Sequence, residues 1–390
     1  MRFLHTSDWH LGRRFHGEDL IDAQRAFLDQ LYETARTEKV DAILVAGDVY
    51  DRAVPSLDAV RLFSHCLEQL AGLGIPTVII SGNHDSAHRL GVGSKLLSRA
   101  GVHLVTDPGA CADPLLLNGQ DGHVAVYGIP YLEPSMVHTA LGAQEATHQA
   151  VLSAALERIR TDLANRPDAT RSVVLAHAFI TGAAPAETST SERDVSVGGV
   201  AHAGAAIFDG ITYTALGHLH RPQQVTDRVH YSGSPLAYSF SETGHTKSMK
   251  LVDLTADGPP ALTPVPFREQ LPLARLEGAI ADLLADSAHE PLTGAWLQVV
   301  LTDPDRPYEA MARLRQRFPH TLDIKFEPVT VPGQTRGATY RERVRGRSDL
   351  QIACDFVLRT RNTPPSDAER ALLVRAVDAT RVQAQHKETV

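Results

Sequence analysis

IPTVIISGNHD, at residues 75–85, begins as a buried strand and ends in polar residues. Five of its first six residues are apolar or β-branched, which predicts a strand covered on both faces. The strand stops at Ser81-Gly82, and Asn83, His84 and Asp85 then offer an amide oxygen, an imidazole and a carboxylate. Because ligands bind outside the carboxyl ends of strands in open α/β sheets, we expect chemistry at this point.

The composition is that of a globular protein with more than one domain. The chain has 390 residues, of which 43% are hydrophobic and 22% charged. A net charge of −8 argues against a uniformly basic surface for nucleic acids, although a local basic groove stays open. Three scattered cysteines suit a reducing compartment, and no apolar run has the roughly 20 residues of a membrane span. We expect a cytoplasmic protein without a signal peptide.

Strands and helices alternate on both sides of the opening stretch. Strands are predicted at residues 2–6, 41–46, 172–176, 211–216, 229–232 and 249–254, the last two antiparallel. Helical segments follow the first two, and this β-α-β-α-β order predicts a mostly parallel sheet with helices on its faces. A continuous helix is predicted over residues 135–163, and the long segment 181–206 is expected to be functional or mobile.

The composition changes at Pro259-Pro260, which predicts a domain boundary nearby. Beyond it we expect a small α/β domain with helices at 276–284 and 308–317 and strands at 295–301 and 322–328. An arginine-containing linker at 333–347 and helical segments at 350–359 and 366–380 follow. The predicted domains are residues 1–266, 267–331 and 332–390.

Five predicted strands end in metal-binding residue types. They are Asp8 with His10, Asp48, Asn83 with His84, His177, and His218 with His220. If these strands are neighbours, the side chains converge on one rim, with each D-x-H or H-x-H pair on one side of an extended chain. Without His84, the set can hold two metal ions with Asp48 between them. Oxygen and nitrogen donors without thiolate suit manganese, iron or zinc.

Two metal ions on such a rim indicate hydrolysis of a phosphate ester. Ions about 3.5–4 Å apart stabilise the attacking and leaving oxygens and lower the pKa of a bridging water. We expect His84 to donate a proton to the leaving oxygen, and Asp51 and Asp85 to orient imidazoles. Other histidines, such as His5, are expected to be packed or on the surface.

These residues and their flanking motifs give the chain a resemblance to the calcineurin-like metallophosphoesterases. It is more closely similar to the SbcD family of bacterial nuclease subunits. The finer matches are TSDWHLG at 6–12, GIPY at 128–131, SER at 191–193 with VGG at 197–199, GHLHRPQ at 217–223 and YSGSP at 231–235. The resemblance implies an α/β fold: a β-sandwich flanked by helices at 1–266, a capping domain at 267–331, and ATPase-docking helices in 332–390.

The resemblance also implies residue roles. Asp8, His10, Asp48 and His220 would hold one manganese ion, and Asp48, Asn83, His177 and His218 the other. His84 would be catalytic, with Asp85 beside it. The implied activity is a DNA nuclease, exonucleolytic on double strands and endonucleolytic on single strands or hairpins. It would act in repair and recombination as a homodimer bound to two SbcC-type ATPase subunits.

Two alternatives remain open from the sequence. One is a phosphomonoesterase or cyclic-nucleotide phosphodiesterase that uses the same metals on a small substrate. The downstream 120 or so residues argue against it, since a small substrate needs no cap or docking helices. The other is a non-catalytic subunit that anchors an ATPase to DNA, against which the intact Asp48, Asn83 and His84 argue.

Overall fold

The structure is a computed structural model that describes residues 1–119, 122–167, 170–183, 185–196, 202–255, 258–268, 272–329, 347–361 and 363–387. The VGG motif at 197–199 and the predicted linker up to residue 346 lie outside these residues. The chain divides into two compact units, Met1–Glu327 and Pro328–Val390. The domain boundary near residue 266 therefore stays a prediction.

Nineteen strands are present among the described residues. They are β1 (Arg2–Thr6), β2 (Arg14–Phe15), β3 (Glu18–Asp19), β4 (Ala42–Ala46), β5 (Thr77–Ile80), β6 (Val102–Val105), β7 (Leu115–Gly119), β8 (Gly122–Ile129), β9 (Arg171–His177), β10 (Phe179–Thr181), β11 (His202–Gly204), β12 (Tyr213–Gly217), β13 (Gln223–Thr226), β14 (Val229–Tyr231), β15 (Ser248–Asp253), β16 (Ala261–Pro266), β17 (Leu273–Gly278), β18 (Trp296–Leu301) and β19 (Thr321–Phe326).

The helices lie mainly between these strands. In the first unit they are α1 (Ile21–Thr37), α2 (Leu57–Leu73), α3 (Ala87–Leu90), α4 (Ser94–Leu97), α5 (Pro134–Leu141), α6 (His148–Ala164), α7 (Ile280–Ala285) and α8 (Ala310–Arg317). The second unit contains two C-terminal helices, Asp349–Arg361 and Asp367–Lys387. Within the described residues, no helix has the length and apolarity needed to cross a membrane.

Two six-stranded sheets form a sandwich. Their strand orders are β16-β15-β1-β4-β5-β6 and β13-β14-β12-β9-β8-β7. The inner faces share one buried cluster, which includes Phe3, Leu44, Val78, Val126, Val173, Leu175 and Ala215. Strands β1, β4, β5 and β6 are parallel, as are β8, β9, β12 and β14, so each sheet gathers several carboxyl ends at one edge. The implied β-sandwich flanked by helices is confirmed.

Helices cover the outer faces, as the alternating pattern predicts. Helices α1 and α2 pack on the first sheet through residues such as Phe27, Leu31 and Leu70. Helix α2 begins after Ser56, whose hydroxyl accepts a hydrogen bond from the Ala59 amide, and ends at Gly74 with a φ of 66°. Helices α5 and α6 pack on the second sheet.

Two predictions of local structure were wrong, and a third was right only in part. The helix expected over 135–163 is two helices, because Gly142 adopts a φ of 79° and ends α5. The helix expected over 276–284 begins as strand β17, since residues 273–278 pair in parallel with β18, and only α7 is helical. Of the two strands expected to be antiparallel, β15 is antiparallel to both β1 and β16, whereas β14 is antiparallel to β13 and parallel to β12.

A three-stranded parallel sheet, ordered β17-β18-β19, follows the sandwich in the first unit, with α7 and α8 against it. It has its own core, which includes Leu276, Leu297, Val299, Leu314 and Phe318. Trp296 of this sheet packs on Phe15, with ring centroids 5.5 Å apart. These elements correspond to the small α/β domain expected from the sequence.

Candidate metal centre

The carboxyl ends of strands from both sheets meet at one edge of the sandwich. The Nδ1 of His177, at the end of β9, lies 2.8 Å from the carbonyl oxygen of Ala46, at the end of β4. A Cβ on Gly217 would lie 1.9 Å from that same oxygen, so only glycine permits this approach of β12 to β4. The predicted convergence of strand ends on one rim therefore occurs, and both sheets contribute to it.

The backbone at this edge is not extended. Asp8, His10 and Asp48 have φ angles of 53°, 45° and 50°, and His218 has a φ of 113°. The expectation that extended alternation pairs Asp8 with His10 was therefore wrong, because β1 ends at Thr6 and left-handed turns aim these side chains. Such conformations are costly for residues with a Cβ and cluster at functional sites.

One group of side chains gathers around His10 and His220. Their Nε2 atoms are 3.1 Å apart. Asp8, His10 and His220 each place a ligand-type atom within 4.8 Å of the others. The Oδ2 of Asp48 lies 3.6 Å from the Nε2 of His10. All four side chains are buried.

A second group gathers around Asn83. Its Oδ1 lies 2.9 Å from the Nε2 of His177 and 3.2 Å from the Nδ1 of His218. The Oδ2 of Asp48 lies 3.5 Å from the Nε2 of His177. The same Asp48 oxygen thus faces a histidine of each group, which matches the central position predicted for Asp48.

The bonding of these residues is incomplete without a cation. His10 Nδ1 and Asn83 Nδ2 are buried and have no hydrogen-bond partner among the residues that the structure describes. The Nδ1–H of His177 is directed to Ala46, so neutral His177 turns an Nε2 lone pair towards the Asn83 oxygen, another acceptor. Acceptors that face one another need a proton or a cation between them. The clustered Asp, Asn and His side chains fit two divalent metal ions.

Burial controls the pKa values in this centre. Burial, reinforced by the charge of Asp48, raises the pKa of Asp8 to about 7, and burial lowers the pKa of His218 to about 3. Burial also acts to lower the pKa of His177, but the charge and hydrogen bond of Asp48, together with the charge of Asp8 and the Ala46 carbonyl, outweigh it and raise that pKa to about 9. A divalent cation reverses this pattern, because it favours ionised carboxylates and unprotonated imidazoles.

His84, Asp51 and Asp85 lie beside the two groups. His84 donates its backbone N–H to Asp48 Oδ1 at 2.8 Å, and its Nδ1 lies 2.8 Å from the carbonyl oxygen of Asp51. The carboxylate of Asp85 accepts hydrogen bonds from the amides of Val49, Tyr50 and Gly82. Asp85 therefore ties the loops after β4 and β5 together, and the Asp51 carbonyl orients the His84 ring.

Further residues that contact the centre had no predicted role. Glu242 and Lys247 are buried beside His220, and nothing in their local sequence marks them. Ser191 and Glu192 belong to the SER motif but carried no assigned chemistry; the Ser191 hydroxyl lies 2.7 Å from His220 Nδ1. The described part of the long segment 181–206 thus reaches the metal centre.

Comparison with known families accounts for this arrangement. Residues 1–222, more than half of the chain, match the model of the calcineurin-like phosphoesterases. The chain belongs to the calcineurin-like phosphoesterase family. Membership makes it a metal-dependent phosphoester hydrolase. Residues 269–361 match the SbcD_C model, described as the type 5 capsule protein repressor C-terminal domain. The two matches together confirm the resemblance to SbcD-type nuclease subunits.

Solved structures with related folds are distant from this phosphoesterase. The protein TT1561 of Thermus thermophilus and a dimetal phosphatase from Danio rerio each show 13% identity and a TM-score of 0.40, over 68% of this chain and 99% of theirs. The sulfate thiohydrolase SoxB of Thermus thermophilus in complex with glycerol shows 13% identity and a TM-score of 0.35, over 68% and 56%. Similarities of this size transfer no substrate.

Proposed function

We propose that this chain is the nuclease subunit of a DNA-processing complex. It is a double-strand exonuclease and a single-strand or hairpin endonuclease that works with an SbcC-type ATPase in DNA end processing, repair and recombination. The observation that carries the proposal is the pairing of a phosphoesterase match over residues 1–222 with an SbcD_C match over residues 269–361.

The two groups of side chains support an assignment of two metal sites. Asp8, His10, Asp48 and His220 hold the first ion, and Asp48, Asn83, His177 and His218 hold the second. Bound there, divalent ions stabilise charge on the attacking and leaving oxygens and lower the pKa of the attacking water. The mixed oxygen and nitrogen donor set without thiolate is consistent with Mn²⁺, which we propose as the activating ion.

His84 is the group we assign to proton transfer. Its Nδ1–H donates to the Asp51 carbonyl, so Nε2 carries a proton for the leaving oxygen only when the ring is the doubly protonated imidazolium. Its ring centroid lies 4.7 Å from that of His10, next to the first metal group. Asp85, predicted as catalytic, is better described as a positioning residue, since backbone amides engage both of its oxygens.

Two exposed apolar surfaces support the proposed partners. The C-terminal helices expose Phe356, Leu358, Leu372 and Val374, and we assign this surface to the ATPase subunit. The first unit exposes Val54, Leu57, Val60, Val92 and Leu96 on two neighbouring segments, which we assign to a homodimer contact. Arg89 joins these segments by a hydrogen bond to the Ala53 carbonyl at 2.7 Å.

One observation favours a second candidate, a phosphodiesterase for small substrates. A cavity of about 690 Å³ adjoins the second metal group, and Asn83, Tyr131 and Glu133 line part of it. This volume falls within the range of small-molecule sites. The match over residues 269–361 has no evident use in such an enzyme, so DNA remains the preferred substrate.

Purified protein with Mn²⁺ distinguishes these functions. We expect degradation of linear and hairpin DNA, with and without the ATPase subunit, and loss of activity in EDTA. Cleavage of a small phosphodiester with intact DNA would establish the second candidate. Binding of DNA and ATPase without any cleavage would establish an anchoring role. Replacing Mn²⁺ by Zn²⁺, Fe²⁺ or Ca²⁺ tests the choice of metal.

A further inference from the structure

Glu242 is a buried carboxylate next to the first metal group. It ends a single 3-10 turn, Phe240–Glu242, and its side chain has no exposed surface. One oxygen, Oε2, lies 2.5 Å from the Nζ of Lys247 and 3.2 Å from the Tyr238 amide nitrogen. The other, Oε1, accepts from the Ser189 and Ser191 hydroxyls at 2.7 and 2.5 Å. An ion pair buried with this many donors requires an ionised carboxylate.

This carboxylate determines which way the Ser191 hydroxyl points. An ionised carboxylate can only accept, so Ser191 donates its single proton to Glu242. The Ser191 oxygen must then accept from His220 Nδ1, which lies 2.7 Å away. Glu242 Oε1 is itself 3.3 Å from the same nitrogen. The proton of neutral His220 therefore sits on Nδ1, and Nε2 presents its lone pair to His10.

Lys247 and Glu192 form hydrogen bonds to the backbone of His220. The Nζ of Lys247 donates to the His220 carbonyl at 2.9 Å as well as to Glu242. The amide of His220 donates to Glu192 Oε1 at 2.7 Å. Ring and backbone of this histidine are thus fixed by side chains from segments on both sides of it.

We propose that Glu242 is a positioning residue that fixes His220 in the tautomer able to bind the first metal ion. Metal-bound histidines commonly donate a hydrogen bond from the N–H of their second ring nitrogen to a carboxylate. Loss of such a partner weakens metal binding by about 10–100-fold. The assignment rests on the two-metal site proposed above. It concerns one ion only, because His177 of the second group uses the Ala46 carbonyl for the same purpose.

Mn²⁺ titration of Glu242→Gln tests this role without an activity assay. An amide of the same shape accepts more weakly and can donate to Ser191, which releases the serine proton towards His220. We expect the variant to bind one Mn²⁺ as tightly as the wild type and the other about 10–100-fold more weakly. In EPR spectra at limiting Mn²⁺, the coupled two-ion signal of the wild type should give way to the six-line signal of a single ion.

Two further variants separate positioning from stability. Glu242→Gln removes the main counter-ion of Lys247, which could lower stability by itself. The double variant Glu242→Gln/Lys247→Met removes both charges. It should show the same selective loss of one metal ion. Ser191→Ala should weaken binding of that ion less, since Glu242 Oε1 can accept a hydrogen bond from His220 Nδ1–H directly. The matched control Glu33→Gln breaks an exposed ion pair with Arg268 and should bind two ions normally.

The outcomes distinguish the two proposals. If folded Glu242→Gln or Glu242→Gln/Lys247→Met binds two ions with wild-type affinity, the proposed role of Glu242 is overturned. The assignment of the two metal sites is not affected by that result. A wild-type protein that binds fewer than two Mn²⁺ ions would overturn the two-metal site itself. Weakening of both ions to the same degree in every Glu242 variant would show a general structural role and also overturn the inference.

Discussion

His5 and His10 are five positions apart, equally buried, and bonded in opposite ways. His5 lies between the sheets, where its Nδ1 meets the Tyr213 hydroxyl at 2.9 Å and its Nε2 meets the Leu216 carbonyl at 3.2 Å. His10 lies at the metal edge, where its Nε2 faces another imidazole at 3.1 Å and its Nδ1 has no hydrogen-bond partner in the described part of the chain.

The difference shows that burial alone does not identify a metal ligand. Both side chains have no exposed surface, and burial lowers the pKa of both. The protein satisfies His5 completely, whereas it directs the ring of His10 towards other acceptors and a carboxylate. A buried histidine with complete bonding stabilises the fold, and a set of converging incomplete ones is suited to a cation.

The largest effect is expected from Asp48→Asn. The amide can still accept from the His84 amide but removes the charge that faces both groups. We expect both ions to bind at least about 100-fold more weakly, beyond the usual effect of an indirect partner, and hydrolysis to fall to background. Mn²⁺ should stabilise the wild type by about 2.7 kcal/mol at 100 times Kd and the variant hardly at all.

The comparison supplies the control for that experiment. His5→Gln removes the interior histidine and should lower the free energy of unfolding while two Mn²⁺ ions still bind. Loss of metal from His5→Gln, measured by metal analysis after gel filtration, would contradict the separation between the interior and the metal edge. So would full metal binding by Asp48→Asn.

His84→Gln should separate chemistry from metal binding. Removing a proton donor typically costs about 10²–10⁴-fold in rate, and we expect a loss of DNA hydrolysis of that size. Two Mn²⁺ ions should remain, because neither proposed metal site includes His84. Loss of one ion from the variant would instead make His84 a metal ligand, which its position near His10 and Asp48 would explain.

Gly217→Ala should open the edge where the sheets meet. Its Cβ would overlap the Ala46 carbonyl, and overpacking of this kind costs about 1–3 kcal/mol in the free energy of unfolding. Urea denaturation in EDTA measures this effect without metal. Gly72→Ala is the matched control, since among the described residues a Cβ there meets no atom within 4 Å outside the backbone of its own helix and its chain neighbours. Equal stability of the two variants would show that the sheets can separate at no cost.

The last prediction is a pH dependence of stability that arises from one interior histidine. Burial lowers the pKa of His230 from 6.5 to about 4, and nearby Lys250 acts in the same direction. The unfolded chain therefore binds a proton below pH 6.5 that folded His230 does not, so stability is lost as the pH falls from 6.5 to about 4. The expected slope is about 1.4 kcal/mol per pH unit.

Metal-free protein is the sample for this measurement. Urea denaturation at pH 7 and pH 5 should show a smaller loss of stability in His230→Gln than in the wild type. The wild type and the variant must be compared because burial raises the pKa values of Asp8 and Asp85 to about 7. These two groups make the folded protein more stable as the pH falls, which is opposite to the effect of His230. An identical loss in both proteins would mean that His230 accepts a proton within the fold.

Much of this molecule was predictable from local sequence. Each apolar run that ends in Gly-Asp, Gly-Asn-His-Asp or Gly-His-x-His marks a buried strand and the ligand types at its end, because both signals lie within a few residues. Local signals failed where pairing decided the structure. Residues 276–278 were expected to begin a helix, yet hydrogen bonding to β18 made them the end of strand β17.

The sequence by itself determined which side chains are available as ligands and that strands deliver them to one edge. Only the tertiary structure decided that two sheets share this edge, that left-handed turns aim Asp8, His10 and Asp48, and which ring nitrogens remain to bind. The physical reason is that a histidine's tautomer depends on the partner of its other nitrogen. That partner is 131 positions away for His177 and 22 for His220, beyond the reach of any local pattern.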